Sequence, residues 1–467
     1  MKKISRGMVG YSIGYIGQGA VYNFISTYFI LFMTDCIGMS SALSGLIMSL
    51  ALLAEVFAGM IIGNISDGFQ SPLGKRRPFI LTAAVCMPLV IILLFRNIHG
   101  SLFVDFAYYL SLSVVFRIIF STFEIPNNAF GAQIAVDYDE RTRLRTSTRV
   151  FGIFGNMIAY VMPLLILARF AEGDQGWRLT GLLIAALCCV SWLAAFFITR
   201  PYDLNSKASD GKPKKKVLHS IAVNYLQLLK LKTMRILIVY KAAFACALAL
   251  FNVATIYYLK YYMGLSNVYT SYIYLGTVVI FLVSTPFINR TALKYGKGKQ
   301  QLAMLLMGGL LGLVVYLFFR RYLLGAVIYI CFFAVVQNSF WQLSPSIFYD
   351  IVEVDEFVNG QRREGDIMSL VSVLGTLTTS VVVQVFGVFY DLTGYDASLT
   401  IQPSSVGQFL SAAYILVPSL CFLIGAVALK AFPINKKTFH SLTEASRMKR
   451  AGENYCIYEE DLHRIFD

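Results

Sequence analysis

The strongest constraint on this chain is a repeated one: apolar runs of about 20 residues recur from one end to the other. A helix of that length rises about 30 Å, the thickness of the hydrocarbon core of a bilayer. Twelve such runs lie near residues 10–33, 40–64, 78–95, 104–130, 148–170, 178–199, 234–261, 267–288, 301–319, 323–348, 367–390 and 407–431. Composition agrees, because 57% of the 467 residues are hydrophobic and only 14% are charged, too few charges for a soluble chain of this length. The expected fold class is all-α and integral to a membrane, with twelve transmembrane helices.

The net charge of +14 would suit a nucleic-acid partner, but its placement argues against one. Basic residues gather in alternate loops: Lys2, Lys3 and Arg6; Lys75, Arg76 and Arg77; Arg141, Arg143 and Arg145; Lys212 and Lys214 to Lys216; Arg290 to Lys299; Arg362 and Arg363; and the tail from Lys436. The loops between them, 34–41, 172–176 and 393–408, are nearly free of Lys and Arg, and Arg320 with Arg321 is the exception. By the positive-inside rule both termini are cytoplasmic and the surrounding partner is the lipid bilayer. Met1, Lys2 and Lys3 lead into a long first span without a small-residue cleavage site, so no cleavable signal peptide is expected. The eight cysteines have no ligand spacing and the four histidines fall in loops or tails. Neither a metal, a cofactor nor a membrane-buried histidine relay is expected.

Residues 1–200 hold six runs and residues 234–431 six more. Residues 201–233, with KASDGKPKKK, are too polar to bury a core and read as a cytoplasmic linker; residues 432–467 read as a charged cytoplasmic tail. GNISDGFQSPLGKRRPF after the second span is echoed by INRTALKYGKGKQ after the eighth. Two six-helix bundles with a site between them near the midplane is the plan of rocking-type secondary transporters.

Several polar groups lie at membrane depth. In the fourth span, VFRIIFSTFEIPNNAF places Arg117, Ser121 and Glu124 four and three residues apart, on one helix face, followed by Pro126, Asn127 and Asn128. A charge there is expensive against lipid, so this face either lines a wet path or forms a buried Arg117–Glu124 pair. Pro126 is expected to break the helix. Glu55, the one charge of the second span, is either a proton carrier or a neutral acid bonded to a neighbouring helix. In the first span Gly10, Gly14 and Gly17 allow close helix approach, while Gln18, Tyr22 and Asn23 are either ligand contacts or incidental. Arg149 either faces Glu124 or snorkels, and Lys241 snorkels or pairs. Trp341, among Gln337, Asn338 and Gln342, is either a platform for the apolar face of a sugar or a wedge between helices. Thr376 is among the polar residues of the eleventh span. Asp67, Lys75, Arg76 and Arg77 are either a conformational latch or a topology signal.

Four segments carry a family likeness: TDCIGMS, SDGFQSPLGKRRPF, FEIPNNAFGAQI and FYDIVEVDEFVNGQRREGDI. With them the chain resembles, over most of its length, the glycoside-pentoside-hexuronide:cation symporters, the melibiose permease group of the major facilitator superfamily. The resemblance implies a two-domain transporter with a central sugar and a cation site between the second and fourth helices. By position Glu55 matches a helix II carboxylate of that cation site, Ser121 its hydroxyl and Glu124 its helix IV acid. Arg149, Trp341 and the Gln18–Gly19 pair match sugar-site positions. Gly59 stands where the family has a second helix II carboxylate and Ala58 where it has an asparagine. Gly19, Asn128 and Thr376 replace the helix I acid, a helix IV aromatic and the helix XI lysine. Too few oxygen ligands remain for sodium, so the proton is the expected coupling ion.

With Arg117 and Arg149 present and the helix I acid absent, an anionic glycoside such as a hexuronide or sulfonated sugar is the expected substrate. The expected substrate contacts are Gln18, Tyr22, Arg117, Glu124, Asn128, Arg149, Trp341 and Thr376, and the coupling groups Glu55, Ser121 and Glu124. The whole is expected to be a monomeric, multi-pass transporter of a bacterial cytoplasmic membrane and not an enzyme. The rival readings are a lysolipid or other amphiphile transporter of the same superfamily and an uncoupled sugar uniporter.

Overall fold

The computed structural model describes residues 6–69, 71–98, 100–134, 138–170, 174–201, 218–360, 363–396, 399, 402–451, 458 and 462. Fourteen helices follow in order among these residues: α1 (Arg6–Asp35), α2 (Ser41–Gly68), α3 (Arg77–Leu94), α4 (Leu102–Ile134), α5 (Tyr138–Arg169), α6 (Gln175–Ile198), α7 (Leu218–Lys230), α8 (Lys232–Tyr262), α9 (Asn267–Tyr295), α10 (Lys297–Phe319), α11 (Leu323–Asn359), α12 (Glu364–Leu392), α13 (Ser404–Lys430) and α14 (Lys436–Ala451). All but α7 and α14 are long and apolar enough to cross a membrane, which gives the twelve expected spans.

Three local features differ from the expectations. Helix α4 runs unbroken through Pro126, which is buried. Helix α11 continues through the polar stretch to Asn359, where its acids are matched: Lys297 reaches Asp350 at 2.6 Å, and Arg363 grips both oxygens of Asp355 at 2.5 and 2.8 Å. The stretch 201–233 is not all linker. Residues 202–217 lie outside the described residues, but α7 follows and is fastened to the start of α12. Asn224 donates to Asp366 at 2.8 Å, the Tyr225 and Ser369 hydroxyls meet at 2.7 Å, and Arg363 donates to Gln227 at 2.7 Å.

The chain forms two compact units. Unit 1 comprises Met1–Lys215, Thr255–Val278 and Val383–Phe409. Within it α1 packs along α5 and α6, α2 along α4, and α3 on α4 and α6. Close approach of α1 and α5 depends on Gly155, where a Cβ would overlap the Ile16 carbonyl. Trp192 of α6 donates to the Gly14 carbonyl at 3.1 Å and stacks on Phe123 of α4 at 3.9 Å. Unit 2 comprises Lys216–Ala254, Val279–Val382 and Leu410–Asp467. Here α10 packs on α11 and α13, with Gly312 leaving space for Ser419, and α14 lies on α11, where Lys449 donates to the Phe357 carbonyl at 2.7 Å.

Candidate functional site

Three helices of unit 1 bring together the acids singled out in the sequence. Arg117 of α4 donates from Nη1 to Oε2 of Glu55 on α2 at 2.8 Å, with 2% of the arginine and 16% of the glutamate side chain exposed. Glu124 instead accepts from Nε2 of Gln18 on α1 at 3.1 Å. The buried pair is therefore Arg117–Glu55 and not Arg117–Glu124. Two residues seven apart on one helix are about 10 Å apart along its axis, whereas α2 packs directly against α4. Ser121, between Arg117 and Glu124 on α4, is buried. Tyr22 is 38% exposed; its ring packs on Phe120, with the Arg117 guanidinium 5.8 Å from its centre. Gly59 faces Ile125, whose Cδ1 would lie 3.2 Å from a Cβ there, so an apolar group occupies the α4 side of the missing carboxylate. The Oε1 of Gln18 is buried without a protein hydrogen bond, an acceptor suited to a ligand hydroxyl or a water.

A second set of polar groups joins α1 to α5. Asn23 accepts from the Tyr160 hydroxyl at 2.8 Å and donates to Asn156 at 2.8 Å and to the Gly19 carbonyl at 2.9 Å. A Cβ at Gly19 would lie 2.6 Å from Oδ1 of Asn156, so the acid expected there by resemblance has no room. Asn156 and Tyr160 were not among the expected site residues. Their signal is spacing, since they follow the half-buried Arg149 by seven and eleven residues on one face of α5. Asn128, exposed on α4, accepts from the Tyr15 hydroxyl at 2.8 Å.

The remaining two expected substrate contacts lie in unit 2. Trp341 is 43% exposed, and the ammonium of Lys241 is 5.3 Å from its ring centre and 5.2 Å from that of Phe340. The lysine stem passes Gly375 of α12, where a Cβ would lie 2.7 Å from its Cε, and the half-buried Thr376 follows. Lys241 thus neither snorkels past the helix end nor pairs with a described carboxylate. The amides beside Trp341 serve the protein instead: Asn338 donates to Phe281, Ser284 and Thr285, and Gln342 to Thr285 and Asn338.

Of the expected latch, Arg76 donates to Ser66 at 2.6 Å, and Arg77 to the Phe196 and Leu73 carbonyls at 3.0 and 2.9 Å while covering the Phe196 ring. Both are buried and their named bonds stay inside unit 1. Lys75 is half-buried, and the Asp67 side chain lies outside the described residues. A tie absent from the expectations closes the other end of α1. Asp35 accepts from Lys260 at 2.6 Å, from Tyr261 at 2.6 Å and from Tyr395 at 2.7 Å. Asp391 accepts from the backbone N–H groups of Ser41 and Ala42, both at 2.8 Å, as an anion suits a helix N-terminus. Burial, then the nearby carboxylates of Asp174 and Asp35, push the Cys36 thiol up to about 11.

Residues 10–436 match the family described as MFS/sugar transport protein. The chain belongs to this family. As a member of the MFS/sugar transport family with twelve apolar helices it is a multi-pass membrane protein. An isoprimeverose transporter of Lactiplantibacillus pentosus is 24% identical over 95% of this chain and 91% of its own. A lactose permease of Lactobacillus delbrueckii is 26% identical over 95% of this chain and 71% of its own. The solved structure of a D-xylose-proton symporter has the same fold, with a TM-score of 0.63 at 16% identity over 90% of this chain and 96% of that one. The family and these relatives are transporters, and the resemblance to glycoside symporters of the major facilitator superfamily holds.

Proposed function

We propose that this protein moves a sugar or glycoside by alternating access, with the proton as coupling ion and Glu124, rather than Glu55, as its carrier. The observation behind this is the different partnering of the two acids. Glu55 is held by a buried guanidinium, so protonating it would strand Arg117 without a counter-ion, which costs several kcal/mol. Glu124 meets a neutral amide and can exchange a proton without breaking an ion pair. Sodium is disfavoured at the same place, because Gly59 faces Ile125 and the fixed charge of Arg117 repels a second cation. The names of the relatives, an isoprimeverose transporter and a lactose permease, support a glycoside as cargo. By the distribution of loop charge the Asp35 tie lies on the non-cytoplasmic side, where it would release as that face opens.

The test is uptake of a glycoside panel into proteoliposomes with proton and sodium gradients imposed separately. Accumulation should follow the proton gradient and ignore sodium, and Glu124→Gln should abolish accumulation while keeping counterflow exchange. Sodium-driven accumulation, or accumulation by Glu124→Gln equal to wild type, overturns the coupling assignment. Absence of flux for every glycoside overturns the cargo.

A further inference from the structure

Lys241 is nine residues inside α8, which begins at Lys232, and no described carboxylate lies within ion-pair distance of it. Its neighbours are two aromatic rings of unequal character. Phe340 is 1% exposed and is locked face to face on Phe244, with their planes 1° apart. Trp341 stands edge-on to Phe340, at 89°, and leaves 43% of its surface open. The attraction of an ammonium to ring faces offsets only part of the cost of holding it at membrane depth. The geometry is also kept by a glycine, since any side chain at Gly375 would meet the lysine stem. A cation held beside an open indole, with no carboxylate among the described residues to pair with it, is a half-built recognition site.

We propose that Lys241 and Trp341 bind the anionic end of a charged glycoside: the indole face takes the apolar face of the sugar ring, and the ammonium takes a carboxylate or sulfonate carried on its edge. This rests on the transport reading above and assigns the charge of its substrate. The assignment also relocates the anion site. Arg117 and Arg149 together were the expected partners of a substrate anion, but Glu55 already neutralises Arg117. Lys241 has no such partner among the described residues. An indole alone accepts neutral and charged sugars alike, so the choice between them falls to the ammonium.

The test uses matched pairs in proteoliposomes: a methyl glucuronide against methyl glucoside, and a 6-sulfonated hexoside against its neutral parent. Wild type should take up the anionic member of at least one pair in preference to the neutral one. Lys241→Gln should lower uptake of the anionic member by about tenfold or more relative to that of the neutral member, and Lys241→Arg should keep the wild-type preference. Trp341→Ala should lower uptake of both members. Preference for the neutral sugars in wild type, or equal losses of both members in Lys241→Gln, overturns the assignment and leaves the transport reading standing. No flux of any member in wild type overturns both. If Lys241→Gln fails to fold, thermal unfolding of wild type decides instead. The glucuronide should raise Tm where the glucoside does not, and equal shifts refute the role of Lys241.

Discussion

Arg117 of α4 and Glu55 of α2 form a buried ion pair at 2.8 Å, while Glu124, the other acid of this site, pairs with the amide of Gln18. On the function proposed above, the guanidinium occupies the place that the family likeness assigns to a coupling cation. Removing one member of such a pair costs far more than removing both, because the survivor is left charged without a partner.

Arg117→Gln should therefore destabilise the protein by roughly 3–5 kcal/mol, and the double variant Glu55→Gln/Arg117→Gln should regain most of that loss. Thermal unfolding in detergent reads the cycle. Additive losses in the double variant would mean the two side chains do not support each other.

Gly19 is kept small by Asn156. Gly19→Asp, which restores the acid expected from the family likeness, should cost about 1–3 kcal/mol through overpacking. Asn156→Ala in the same chain should relieve part of it. A Gly19→Asp protein as stable as wild type would show that α1 and α5 can separate without penalty.

The Asp35 tie predicts a change in thiol chemistry. Burial and the charges of Asp174 and Asp35 raise the Cys36 thiol to about 11, so at pH 8 the reactive thiolate is scarce. Asp35→Asn removes one of the charges that raise it and loosens Lys260, Tyr261 and Tyr395. Maleimide labelling of Cys36 at pH 8 should become several-fold faster in the variant, with the other cysteines replaced by serine or alanine. An unchanged rate would detach Cys36 from the tie.

Arg363 holds Asp355 and Gln227 together. Its hydrogen bonds to Asp355 raise the guanidinium further above its ordinary range, against the effect of burial. A raised pKa means that its contribution is complete below the unfolded value and is lost only above the folded one, so it brings no pH dependence near neutrality. Arg363→Gln should strand Asp355, which is fully buried, and loosen α7. Limited proteolysis within 218–233 should then be faster than in wild type, and an unchanged cleavage rate would show that Asn224 and Tyr225 alone hold α7.

Much of the fold was written in local patterns. Apolar runs long enough for a bilayer required twelve helices, because backbone polar groups in hydrocarbon must be satisfied inside each segment. The spacing of Arg117, Ser121 and Glu124 put them on one face of α4. Neither pattern carries information about the neighbouring helix. That Arg117 meets Glu55, that Gln18 meets Glu124, and that Asn338 serves α9 instead of a ligand were decided by which helices pack together. The same holds for the Asp35 tie, whose four members are separated by up to 360 positions in the chain.

Sequence alone determined the number of membrane spans, their membrane setting and the family, since length and hydropathy act residue by residue along each segment. Tertiary structure decided that Arg117 is neutralised and that Lys241 has no carboxylate partner among the described residues. An ion pair depends on distance between atoms of different helices, and only their packing places Arg117 against Glu55 while leaving Lys241 beside an open indole.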